Sequence, residues 1–291
     1  MTTRLHYRVA ACDLDSTLLF GSGLSRENRD AVQALKEHGV MVVLATGRNF
    51  HHAVPYYRDL GLKGPLVSSD GALVTIPGAG GQIIGERVLP LPVSSAIMKA
   101  ANRRRVTCLC FFRHGIYTSS KFDWHESMER HRDIGRHFRF SNLQAMTGRS
   151  IYKLLLFSQT AADLDALQKE ILDQQGFEVD AIRNNLHTLE LISKGISKAS
   201  GLQVVARHLG ISPSQVMALG DGVNDVGMFR WAGLSVCMHH GHPTAQEVAD
   251  MVAPPTDPHV NFATAIAALL AAHTVTTGTA PLPTAARREQ E

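Results

Sequence analysis

Short apolar runs that stop abruptly at polar residues set the rhythm of this chain. Val9-Ala10-Ala11-Cys12 ends in Asp13-Leu14-Asp15, Gly39-Val40-Met41-Val42-Val43-Leu44-Ala45 ends in Thr46-Gly47-Arg48, and Val216-Met217-Ala218-Leu219 ends in Gly220-Asp221-Gly222-Val223-Asn224-Asp225. Unbroken apolar runs of this length read as strands buried on both faces of a parallel sheet. Between the first two, residues 25–38 place Ala31, Val32 and Leu35 at helical spacing, with Ser25 as N-cap and Gly39 as the stop. A helix over about 50–60 then leads to a strand at 66–69 and the turn Asp70-Gly71. The β-α-β rhythm predicts an α/β fold with a doubly wound parallel sheet.

The pattern changes after Pro77-Gly78-Ala79-Gly80-Gly81, a loop or hinge. Strands are expected over 83–89, 107–112, 116–119, 151–157, 177–182 and 188–192, with helices over 93–103 and 161–174. This mixture predicts a sheet covered by helices on one face, so residues 82–192 read as an α+β domain inserted into a core built from 1–81 and 193–273. Residues 122–140, with His125, Arg130, His131, Arg132, Arg136, His137 and Arg139, form either a polar helix or a loop, and the charge reads as a solvated face. The βα rhythm then returns with helices over 196–209 and 226–231, strands at 234–238 and 251–253, and a closing helix over 262–273. The Thr/Ala/Pro-rich residues 274–291 read as a disordered tail. There is no internal repeat.

Composition narrows the class. A chain of 291 residues with 44% apolar residues suits a soluble two-domain protein. The net charge of +3 comes without a long basic run, which gives no argument for a nucleic-acid partner and suits anionic small molecules equally well. Cys12, Cys108, Cys110 and Cys237 form no C-x-x-C pair and lie mostly in apolar runs, as reduced, packed thiols do, which predicts a cytoplasmic setting. No apolar stretch approaches the roughly 20 residues that span a bilayer, so no membrane partner is expected. Nothing in the pattern specifies an oligomeric state. His239-His240-Gly241-His242 reads as a loop, because no Cys or acidic residue stands at metal-ligand spacing nearby. Gly21-Ser22-Gly23 is a turn without the Gly-Lys-Ser/Thr of a phosphate-binding P-loop.

The candidate chemistry starts at Asp13 and Asp15. Positions i and i+2 of a strand share a face, so both carboxylates can converge on one reacting group or cation. A solvated Asp-x-Asp turn is the plain alternative. A calcium loop is excluded, because Leu18 and Leu24 occupy the places of its obligatory Gly and Glu. Taken in order, Asp13-Leu14-Asp15-Ser16-Thr17, Thr46-Gly47-Arg48, Lys198 and Gly220-Asp221-Gly222-Val223-Asn224-Asp225 resemble the four motifs of the haloacid dehalogenase superfamily. The pattern is most similar to its Cof-type phosphatases with a type IIB cap, in which the cap is inserted between the second and third motifs.

The resemblance implies a magnesium-dependent phosphoric monoester hydrolase acting on a small phosphorylated metabolite, a sugar phosphate or phosphorylated cofactor. A phosphate monoester is a dianion, so a carboxylate can attack it only where positive charge offsets the repulsion. Asp13 would be the nucleophile that forms an aspartyl phosphate, and Asp15 the general acid and then base. Thr46, Gly47, Lys198 and Asn224 would hold the phosphoryl oxygens. Asp13, Asp221, Asp225 and the backbone carbonyl of Asp15 would surround Mg2+. Two readings compete with hydrolysis: a phosphomutase of the phosphomannomutase type, and a non-catalytic phosphosugar-binding regulator. Two positions depart from the family pattern. Ser16 stands where Gly is common, and Asp70-Gly71-Ala72 stands for Asn-Gly-Ala, which adds an acid near the site.

Overall fold

The computed structural model describes residues 6–21, 23–78, 81–118, 138–141, 149–174 and 178–276. Its larger sheet has eight strands in the spatial order Met251–Val252, Leu234–Cys237, Val216–Gly220, Val9–Cys12, Met41–Ala45, Leu66–Ser68, Leu73–Ile76 and Gln82–Glu86. The first six in that order are parallel to their neighbours, and the last two add antiparallel. Val9–Cys12 is fully buried at the centre of this order. The chain leaves it toward Met41–Ala45 on one side and returns to Val216–Gly220 on the other. That reversal makes the carboxyl end of Val9–Cys12 a switch point, the place where open α/β sheets form a ligand crevice.

Local chemistry explains the helices that seal the sheet. Ser25 caps Arg26–Glu37 by accepting from the Asn28 N–H at 3.1 Å, and Ala31, Val32 and Leu35 enter the core beneath. Lys198–Leu209 begins in a reciprocal Ser197/Ser200 capping box. Its first turn sits directly on the sheet. A Cβ at Gly71, whose φ is +98°, would lie 2.0 Å from the Ser197 carbonyl oxygen, and one at Gly201 would lie 2.5 Å from Val67 Cγ1. Glycine at both points lets the helix approach closely enough to bring Lys198, its first residue, over the end of the central strand.

The smaller sheet runs Phe138–Phe140, Gly115–Thr118, Thr107–Phe112, Lys153–Phe157, Thr188–Ser193 and Val179–Asn185. Helices Leu91–Arg103 and Ala161–Leu172 cover one face, packing Ile97, Ala101, Leu164 and Leu167 against Cys108, Cys110, Leu154 and Leu189. The opposite face carries Lys153 and Glu190, which reach toward the larger sheet. All four cysteines are buried free thiols.

Several expectations need correction. The strand expected at 83–89 is Gln82–Glu86, and it pairs with Leu73–Ile76 as an edge of the larger sheet, so the last core strand falls beyond residue 81. The closing helix is Asn261–Thr276, so Thr274, Val275 and Thr276 of the expected tail continue it, although β-branched residues have only modest helix preference. Residues 138–140, expected within a polar helix or loop, form a strand parallel to Gly115–Thr118. The His-rich loop leads straight into a short helix, Pro243–Val248, capped by His242. The rest of the His/Arg-rich segment, residues 122–137, and residues 277–291 of the expected tail lie outside the described residues. Among the described residues, no helix is long and apolar enough to cross a membrane.

Candidate active site

Three strand ends build the site. The ladder between Val9–Cys12 and Val216–Gly220 runs on one residue further, as the Asp13 N–H donates to the Leu219 carbonyl at 2.8 Å. Asp13 therefore stands rigidly at the mouth, only 6% exposed. Lys198 Nζ lies 2.6 Å from Asp13 Oδ1 and 2.6 Å from Asp225 Oδ1, and its side chain is fully buried. Asp225 Oδ2 accepts the N–H groups of Asp221 at 2.9 Å and Gly222 at 2.8 Å, which folds the acidic loop back on itself. That fold requires Gly220: a Cβ there would lie 2.5 Å from the Asp225 carboxyl carbon. Thr17 donates its hydroxyl to Asp221 Oδ1 at 2.7 Å, joining the first loop to the third.

The electrostatics follow from crowding. Burial pushes the Asp13 carboxyl well above its ordinary range; Lys198 opposes this, and Asp225, Asp221 and Asp15 add to it. Burial and the Asp225 charge push Asp221 up to about 6. Lys198 is desolvated, yet Asp13, Asp225 and Asp70 outweigh that and raise its pKa, so it stays charged. One oxygen from each of Asp13, Asp221 and Asp225 lies within 4.8 Å of the others. These are hard oxygen donors carrying more negative charge than Lys198 alone offsets. That donor set fits a divalent cation of the magnesium or calcium kind and gives no reason to expect a thiolate-loving metal.

A test follows from the signs. A carboxyl whose pKa is raised by folding contributes stability below its unfolded value, near 3.9, and loses it as pH rises through the folded value. For Asp221 that window runs from about 4 to about 6. The cation-free protein is therefore expected to be less stable at pH 8 than at pH 5, by at most about 1.4 kcal/mol from this group, because pH 5 already lies midway through the window, and by less to the extent that solvent reaches it. A divalent cation should relieve the penalty, so the melting-temperature gain on adding it should be larger at pH 8 than at pH 5. Equal gains at both pH values would remove the acidic cluster as the binding site.

The remaining expected residues are placed as follows. Thr46 is fully buried, and its hydroxyl accepts the Arg48 N–H at 3.1 Å. The Asp15 carboxylate stands outside the acidic cluster and is clasped by Arg48, with Nε donating to Oδ2 at 2.8 Å and Nη2 to Oδ1. Arg48 is steadied in turn by the Tyr56 ring, 5.1 Å below its Cζ. Gly47 leaves room for Asp70, whose Oδ1 would lie 3.0 Å from a Cβ there. The Asn224 amide donates to Asp70 Oδ1 at 3.1 Å.

Asp70 also ties the two sheets together, which sequence reasoning missed. Lys153 Nζ, from the smaller sheet, donates to Asp70 Oδ2 at 2.8 Å, to Glu190 Oε2 at 3.2 Å and to the Gly47 carbonyl at 3.3 Å. Despite burial, the Lys153 and Lys198 charges hold the Asp70 carboxyl below its ordinary range. The extra acid at Asp70 was visible in the sequence, but its partner lies 83 positions away. Lys153→Met would leave buried Asp70 and partly buried Glu190 without the cation that joins them, and breaking such a pair costs up to about 3–5 kcal/mol. Denaturant unfolding should show that loss, and a loss below about 1 kcal/mol would mean water already screens the group.

A family model described as haloacid dehalogenase-like hydrolase matches residues 10–260. The chain is 28% identical over 238 residues to an HMP-PP phosphatase of Serratia proteamaculans, covering 81% of this chain and 85% of that one. It is 26% identical over 246 residues to the 5-amino-6-(5-phospho-D-ribitylamino)uracil phosphatase of Bacillus subtilis, covering 82% and 89%. Among solved structures, a haloacid dehalogenase-like hydrolase from Bacteroides thetaiotaomicron superposes with a TM-score of 0.80 at 26% identity, over 90% of this chain and 99% of that one.

Proposed function

The chain belongs to the haloacid dehalogenase-like hydrolases, and from that premise we propose that it is a magnesium-dependent phosphatase of small phosphorylated metabolites working through an aspartyl-phosphate intermediate. The observation that carries this reading is Lys198 buried between Asp13 and Asp225, 2.6 Å from each, at the sheet's switch point. A structural ion pair needs one carboxylate. Here a third, Asp221, is held alongside by Thr17, which is costly unless a cation and an anionic substrate complete the charge balance.

In the proposed sequence, an Asp13 carboxylate oxygen attacks phosphorus while the phosphorus–oxygen bond to the leaving group breaks. Asp15 gives its proton to the departing alkoxide, then takes one from the water that attacks phosphorus of the Asp13 acyl phosphate, releasing inorganic phosphate and restoring the Asp13 carboxylate and the protonated Asp15. The Arg48 clasp occupies both Asp15 carboxylate oxygens, so Asp15 turns from Arg48 when substrate enters. Lys198 and the Thr46 hydroxyl hold transferring phosphoryl oxygens, with Gly47 and Asn224 lining the same pocket. Magnesium, held by Asp13, Asp221, Asp225 and the Asp15 carbonyl, would neutralise charge developing on those oxygens. Residues of the smaller sheet, anchored through Lys153, serve as a cap that meets the leaving group.

The relatives' names put HMP-PP and 5-amino-6-(5-phospho-D-ribitylamino)uracil first among the substrates to test. Phosphate release would be measured from HMP-PP, 5-amino-6-(5-phospho-D-ribitylamino)uracil, sugar phosphates, pyridoxal phosphate and flavin mononucleotide, each with magnesium and then with chelator. Release that the chelator abolishes is the expected result. Silence from folded protein across the panel would overturn the hydrolase reading, and activity only in the presence of a sugar bisphosphate would replace it with a mutase.

A further inference from the structure

The His239-His240-Gly241-His242 segment has no place in the chemistry above, yet it grips the site from behind. His240 Nε2 lies 2.7 Å from the Ser16 carbonyl oxygen. A carbonyl only accepts, so the ring nitrogen donates. The other ring nitrogen, Nδ1, is buried with no partner among the described residues. Phe20 packs edge-on against the ring at 5.2 Å and fixes its plane. Ser16 itself has φ +58°, a left-handed conformation that is unfavourable for a residue other than glycine. Such a conformation persists only where neighbours hold it.

Ser16 directly follows Asp15, so a Ser16 carbonyl held by His240 anchors the turn into which the Asp15 backbone runs, and with it the base from which that side chain projects. From this geometry we propose that His240 is a positioning residue for proton transfer by Asp15, acting through the Ser16 carbonyl. The same turn steadies the acidic loop from the other side, with the His242 N–H donating to the Asp221 carbonyl at 2.7 Å. A metal site in this segment does not fit the geometry: the His240 nitrogen is committed to a carbonyl, and His242 Nδ1 accepts the Thr244 N–H at 3.2 Å. The inference rests on the reading of Asp15 as general acid.

Proton donation matters for a basic leaving group and little for an acidic one, which separates positioning from general loosening of the fold. The measured quantity is kcat/KM, which reports formation of the aspartyl phosphate and not its hydrolysis, on p-nitrophenyl phosphate and on an alkyl phosphate substrate. His240→Leu should lower kcat/KM on the alkyl ester roughly 10²-fold, the scale of a misplaced catalytic group, and on p-nitrophenyl phosphate only about threefold. His240→Gln, whose amide N–H reaches as far as Nε2, should restore most of the alkyl-ester activity. His240→Asn is polar but too short, so it should behave like His240→Leu, and it serves if the leucine variant does not fold. Equal losses on both esters, or no loss, would overturn the proposal. Asp15→Asn is run beside them. If it too affects both esters equally, the general-acid reading falls and takes this inference with it; if it is selective while the His240 variants are not, the His240 role alone falls.

Discussion

Asp13→Asn is expected to reduce phosphate release by on the order of 10⁵–10⁶-fold while leaving the protein folded, the scale reached when an enzyme loses its only nucleophile. The amide matches the carboxylate in shape and still offers an oxygen to Lys198, 2.6 Å away. It cannot form an acyl phosphate. Stability should not fall in proportion, because burial and the nearby Asp225 and Asp221 charges already disfavour ionised Asp13, and a neutral amide removes that repulsion. The variant should therefore still bind phosphorylated substrate, and its cation-free melting temperature should equal or exceed that of the parent. Purified variant retaining more than about 1% of turnover would assign the attack elsewhere. A collapse of the fold would instead make Asp13 a structural partner of Lys198.

The sequence was legible where one short segment carries its own instructions. Apolar runs ending in acids marked Val9–Cys12 and Val216–Gly220, and a cap, a spaced apolar stripe and a glycine stop marked Arg26–Glu37. It was less legible where the outcome depends on distant chain. Gln82–Glu86 reads as a strand, but whether it joins the larger or the smaller sheet depends on Leu73–Ile76 turning back to pair with it. Phe138–Phe140 has three residues, too few for any period to show. Lys153 and Glu190 read as ordinary polar positions in strands, and only the folded chain shows that Lys153 bonds both Asp70 and Glu190. His240 was hidden because its partner is a backbone carbonyl, which no side-chain pattern reveals. The ordered motifs announce acidic strand ends; the groups that aim and insulate them are set by packing between segments.

Lys198→Met carries the second large effect, and pH separates its causes. Methionine nearly matches lysine in volume but leaves Asp13 and Asp225 facing one another in a buried site, a loss of about 3–5 kcal/mol when a buried pair is broken. In the parent, the Lys198 pKa is raised above its ordinary value near 10.4, so its stabilisation is complete below that value and fades only as pH climbs through the raised one. Nothing is lost from Lys198 near neutrality. In the variant, the stranded carboxylates can relieve their repulsion only by taking up a proton, which becomes easier as pH falls. The stability gap between parent and variant is therefore expected to be widest near pH 8 and to narrow toward pH 5 in cation-free denaturant melts. Turnover should fall at least 10²–10³-fold at either pH, the cost of removing one preorganised charge from a phosphoryl-transfer site. A gap that stays constant between pH 5 and pH 8 would mean that Asp13 and Asp225 do not depend on Lys198 for charge compensation, and would leave it a packing residue.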